Sequence, residues 1–148
     1  IARRRTALGK RYVWWVKESL DLRSIRDAAT LLTGMKDFRS FADDDAEEKS
    51  TKVLITEIRC EEAGDLILFR ITGSHFLWKL VRRMVGVMAE AGRGKLPLDR
   101  ISALFATESA LPPRLTAPPS GLFLERILYP GDRLLQRLAP VLTVTHER

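Results

Sequence analysis

The stretch GSHFLWKLVRRMVGVMAEAGRG, Gly73 to Gly94, decides how this chain is read. Leu77, Leu80, Val81, Met84, Val85 and Met88 recur at helical spacing and form one apolar stripe. Ser74 offers a cap at the start. Gly92 and Gly94 offer an end, with Arg93 near the negative pole. Lys79, Arg83 and Glu90 mark the opposite, solvated face. Arg82 belongs to neither set. At about 100° per residue it falls beside Trp78, Val85 and Ala89, with its stem along the core margin and its head in water. One turn further on, Gly86 lacks a side chain, which lets another backbone or a ligand come close.

Immediately upstream, TKVLITEIRC (51–60) and LILFRI (66–71) read as strands joined at Glu61 to Asp65, a hairpin signal. MKDFRSF (35–41) reads as a connector whose Phe38 and Phe41 tuck under the sheet. Asp21 caps a helix with Leu22, Ile25, Ala29 and Leu32 on one face and Gly34 at its end. Before it, YVWWVK (12–17) has the aromatic and β-branched character of a strand, with Trp14 and Trp15 on opposite faces. The acidic run Asp43, Asp44, Asp45, Glu47, Glu48 would repel phosphate and reads as a solvated loop.

Downstream, Pro97 opens a second helix carrying Leu98, Ile101, Leu104 and Phe105 inward. Glu108 to Ser120 is a long proline-rich loop, and GLFLERILY (121–129) is a last strand. In the tail, Leu134, Leu135, Leu138 and Val141 suit either a docking helix or a frayed end. The order β-α-β-β-α-α-β specifies an α+β fold, an antiparallel sheet with helices on one face.

The chain has 148 residues, 45% hydrophobic and 30% charged, enough for one globular domain and unlike a disordered segment. A net charge of +6 favours an anionic partner, nucleic acid first. Lys79, Arg82 and Arg83 interrupt the apolar stretch, so no membrane span is expected. A single cysteine, Cys60, allows no internal disulfide, and a cytoplasmic location fits best. The chain begins at Ile1, without Met, as a piece of something longer would. His75 and His146 are scattered, no zinc pattern arises, and Gly92-Arg93-Gly94 follows a helix instead of opening one. Nothing in these residues resembles a self-sufficient active site.

GSHFLWKLVRRMVG with AGRG behind it, then TAPPSGLFLERILY, resembles the C-terminal half of the tRNA pseudouridine synthase A (TruA) family. YVWWVKESLDL, the helix ending LLTG, and MKDFRSF are similar to the same family's run into its G-x-H-D-F-x-x-F segment. Lys36 departs from the histidine usual there. The resemblance divides the chain into a basic linker or arm (1–11), the half-domain (12–130) and a tail (131–148). It implies an enzyme that isomerises uridine to pseudouridine in the tRNA anticodon arm, with no metal or organic cofactor. It also implies a homodimer, with the nucleophilic aspartate in an N-terminal half that this chain lacks. Arg82 aligns with the first arginine of the family's V-R-x-x-V-G segment, which pairs with that aspartate. Phe76, Gly121 and Leu122 match residues that shape the family's pocket, although ordinary packing would use the same side chains. Arg83, Arg93, Lys95 and Arg114 are candidate RNA contacts. A noncatalytic RNA-binding module using the sheet face is the alternative, and a basic protein-interaction domain a third.

Overall fold

The computed structural model describes residues 1–7, 9–43, 50–133 and 137–141. Most of the acidic run, Leu134, Leu135 and His146 lie outside the described residues. The elements run α1 (Leu22–Leu32), β1 (Gly34–Asp37), a 3-10 turn (Arg39–Phe41), β2 (Lys52–Ala63), β3 (Leu66–Gly73), α2 (Leu80–Gly92), α3 (Leu98–Ala103) and α4 (Leu111–Arg114). The architecture is α+β, built on a three-stranded antiparallel sheet in the order β1-β2-β3. No helix among the described residues is long and apolar enough to cross a membrane.

α1 forms where local chemistry asks for it. Asp21 accepts a hydrogen bond from the Ser24 amide at 2.8 Å, and Ile25, Ala28, Ala29 and Leu32 line the buried face. β2 and β3 make the anticipated hairpin, with Glu62 opposite Ile67 and Ala63 opposite Leu66. Its two-residue turn contains Gly64 at φ +59°, where a Cβ would be strained. Along β3, Ile67 faces the core, with Phe69 and Ile71 packed against it. Alternation therefore sends Arg70 to the other face. Phe38 and Phe41 are fully buried, as the sequence suggested. They meet Phe105 in a three-ring cluster with centroids 5.4 to 5.8 Å apart.

Several elements differ from the sequence reading. Gly34–Asp37, read as part of a connector, pairs with β2 from Gly34 opposite Ile55 to Asp37 opposite Lys52. The expected strand at 12–17 makes only a single bridge, Trp15 to Ala2. The expected strand at 121–129 enters no ladder and is exposed throughout. Both have strand-like side chains, but a strand exists only where a neighbour supplies hydrogen bonds. The loop at 108–120 is not wholly irregular, since Pro112 and Pro113 sit in the first turn of α4, where their missing N–H groups are no loss. Before the first helix, Ala2 is 1% exposed and the Ile1 nitrogen donates to the Ile67 carbonyl at 2.8 Å. Ile1 and Ala2 are thus seated on β3.

Candidate functional site

α2 starts at Leu80, six residues after the cap expected at Ser74. The chain turns into it through Lys79 at φ 60°, the one left-handed residue other than glycine among those described. That conformation costs on the order of 1 kcal/mol or more. The Lys79 ammonium is held by the Asp43 carboxylate at 3.1 Å. One turn into the helix, Arg82 is half-buried, and its Nε donates to the Ala117 carbonyl at 2.7 Å. In return the Ala117 amide donates to the Arg82 carbonyl at 3.1 Å. The 115–117 segment reaches α2 this closely because of Gly86. A Cβ there would lie 1.7 Å from the Leu115 carbonyl oxygen. The close approach anticipated at Gly86 is therefore a backbone, and it braces Arg82 from the side. The terminal nitrogens of Arg82 have no partner among the described residues. What results is an aimed, unneutralised guanidinium suited to a carboxylate or phosphate.

Arg83 corrects the sequence reading of a solvated face. It is 3% exposed, donates to the Phe41 carbonyl at 2.9 Å, and forms an ion pair with Asp43. The single-stripe reading failed because α2 is covered on more than one side, by α1, by the 3-10 turn and by α4. The hydrogen bond from Arg83, then that from Lys79, holds the Asp43 carboxyl below the usual carboxylate range. Arg93 also has structural partners. Its guanidinium lies 5.6 Å over the Trp14 ring and pairs with Glu90 at 2.8 Å and Glu18 at 3.5 Å. Lys95 is exposed and 3.9 Å from Glu18, while Arg114 is exposed with no carboxylate partner among the described residues.

Of the pocket candidates, Phe76 is 44% exposed on the approach to α2. Gly121 sits at φ +85°, where a Cβ would stand 3.0 Å from the Tyr12 carbonyl oxygen and 3.2 Å from the Val13 Cα. Glycine is thus required where the last segment turns past residues 12–13. Leu122, next along, is 49% exposed. An arrangement the sequence reading missed anchors this segment. Arg70 is 6% exposed and holds Glu125 through two bonds of 2.7 Å, with the Arg137 carbonyl at 3.0 Å. The bonds from Arg70 keep the Glu125 carboxyl below the ordinary range. A lone arginine inside LILFRI and a lone glutamate inside GLFLERILY were the available signals.

A sequence model of the tRNA pseudouridine synthase family matches residues 28–130, which takes in β1, the hairpin, α2, Arg82 and the Gly121 turn. The chain is 33% identical over 126 residues to a tRNA pseudouridine synthase A of Geobacter sulfurreducens, covering 85% of this chain and 52% of that protein. It is 36% identical over 130 residues to the namesake in Thermodesulfovibrio yellowstonii, with 81% and 51% covered. Against the Exiguobacterium protein of that name it is 38% identical over 120 residues, with 81% and 49% covered. It spans about half the length of the relatives it matches. By the extent of the family match and the level of identity, the chain belongs to the tRNA pseudouridine synthase family.

Proposed function

We propose that this chain works as the C-terminal half of a tRNA pseudouridine synthase that isomerises uridine in the anticodon arm, using an aspartate from an N-terminal half. The observation that carries the reading is Arg82: anchored through Nε, braced by the Gly86 contact, and unpaired at its terminal nitrogens among the described residues. Isomerisation breaks the bond from ribose C1′ to uracil N1, makes one to C5, and exchanges a C5 proton for one on N1. A buried aspartate that attacks in such a reaction tends to protonate. Arg82 keeps it ionised by charge and fixes its direction by a fork of N–H donors. Phe76, Gly121 and Leu122 form this chain's share of the pocket wall, and Arg82 is the catalytic residue it contributes. Among the basic candidates, Arg114 and Lys95 are the accessible RNA contacts, whereas Arg83 and Arg93 act through the scaffold.

On this reading the working enzyme is a cytoplasmic homodimer that grips tRNA, and the exposed Leu122, Phe123, Leu124, Ile127 and Tyr129 are covered by the N-terminal half. The test is tritium release from tRNA labelled at uridine C5. The 148-residue chain alone is expected to release none, and the chain mixed with the N-terminal half of a relative to release label. Turnover by the chain alone would sink the proposal. Tight RNA binding without activity in the mixture would favour a noncatalytic module.

A further inference from the structure

We propose that the groove between α3 and α4 is a phosphodiester subsite for RNA, with Arg100 and Arg114 as its two cationic walls. The identity of the polymer rests on the function proposed above; the anion chemistry rests on the groove itself.

The groove encloses about 420 Å³, with Arg100 on one bank, Arg114 on the other, and Leu104, Thr107, Glu108 and Ser109 between them. Both arginines are exposed, and neither has an ion pair among the described residues. Arg3, Arg39, Arg70, Arg83 and Arg93 each have a carboxylate partner, and what sets Arg100 and Arg114 apart from other unpaired arginines such as Arg23 is that they line one groove. Two arginines lining one cavity bring like charge to it with no carboxylate paired to either among the described residues, and an anion bound there would offset that charge. Two arginines and one glutamate leave the lining at a formal +1. That matches the single negative charge of a phosphodiester better than the near-double charge of a terminal phosphate.

The groove is held in shape from below. Ser40 is 5% exposed, and its hydroxyl donates to the Leu104 carbonyl and accepts from the Ser109 amide, both at 3.0 Å. One buried hydroxyl therefore ties the end of α3 to the loop that leads into α4. Just past Arg114, the Leu115 carbonyl seats on Gly86 and Ala117 bonds to Arg82. The segment that follows Arg114 is thereby kept in fixed register with Arg82.

The test uses the 148-residue chain and a labelled tRNA anticodon stem-loop, followed by fluorescence anisotropy across a salt series. Arg100→Gln and Arg114→Gln are each expected to weaken binding by roughly 3- to 10-fold and to lower the slope of log affinity against log salt by about 0.9. Glu108→Gln should tighten binding. Arg23→Gln, the same charge change on exposed α1, should stay within about twofold. Inorganic phosphate at constant ionic strength should compete better than chloride with wild type, and lose that advantage in the double arginine variant. Equal losses in all three arginine variants would mean a diffuse basic field and overturn the subsite. So would absence of RNA binding at low salt, or no preference for phosphate over chloride. A mixture with the N-terminal half that makes pseudouridine yet ignores both groove variants would sink the subsite and leave the function standing. Groove-dependent binding in a mixture that makes no pseudouridine would do the reverse.

Discussion

Gly86→Ala should weaken this protein although it improves helix propensity. In an open helix the change is favourable by about 1 kcal/mol. Here the new Cβ would lie 1.7 Å from the Leu115 carbonyl oxygen, and real Cβ atoms stay at least 3.0 Å from such a neighbour. A backbone must therefore move, and it is the segment whose Ala117 makes two hydrogen bonds to Arg82. Losing both costs about 1–3 kcal/mol at the usual net value, and more where buried groups stay unpaired, as at Ala117, which is 4% exposed. Overpacking adds about 1–3 kcal/mol. After subtracting the propensity gain, a net loss on the order of 1–5 kcal/mol is expected in urea denaturation, with faster hydrogen exchange at the Ala117 amide. Gly92→Ala is the comparison. Its Cβ would be 2.7 Å from Ile25 Cγ1 and 2.9 Å from Cδ1, side-chain atoms that can shift. That loss should be smaller and leave Ala117 exchange unchanged. If Gly86→Ala is as stable as wild type with Ala117 still protected, the bracing of Arg82 by residues 115–117 is wrong.

The Asp43–Arg83 pair should be asymmetric. Asp43→Ala strands a guanidinium only 4% exposed and should cost about 3 kcal/mol, whereas Arg83→Met leaves a carboxylate that is 34% exposed and should cost nearer 1 kcal/mol, both read by chemical denaturation; equal losses would refute the burial argument. With the N-terminal half supplied, Arg82→Met should lower the single-turnover rate by roughly two to four orders of magnitude while changing tRNA affinity little, with Arg23→Met as the exposed control; near-normal chemistry would return Arg82 to the role of a core-margin side chain.

How much of this was legible depended on how local each determinant is. The cap at Asp21, the apolar face of α1 and the β2–β3 hairpin are set within a few residues, and the structure has them. Gly86 was legible because an absent side chain inside an apolar helix has few other uses. Arg83 was not, because assigning a wet face assumes that only one side of a helix is covered. The carbonyl of Phe41 and the carboxylate of Asp43, which make its burial tolerable, lie about forty residues away in sequence. β1 was missed for a related reason: four residues carry no readable alternation, and they become a strand because the long β2 offers an edge.

The segment 121–129 shows what such an edge is worth. Its residues alternate as a strand's do, yet among the described residues its ties to the sheet and to residues 12–13 are the Gly121 turn and the Arg70–Glu125 bonds. Leu124, Ile127 and Tyr129 are each more than 60% exposed. Each such side chain forgoes about 1.5–3 kcal/mol that full burial would supply. Arg70 nevertheless holds Glu125 from a nearly buried position, so the segment is registered against the sheet before anything covers it. Registering an unpaired strand in advance lowers the ordering cost when a partner docks. On the reading proposed above, that partner also carries the carboxylate for Arg82. One docking event would then cover the apolar residues of 121–129 and complete the catalytic pair, which makes folding of the interface and assembly of the active site the same step.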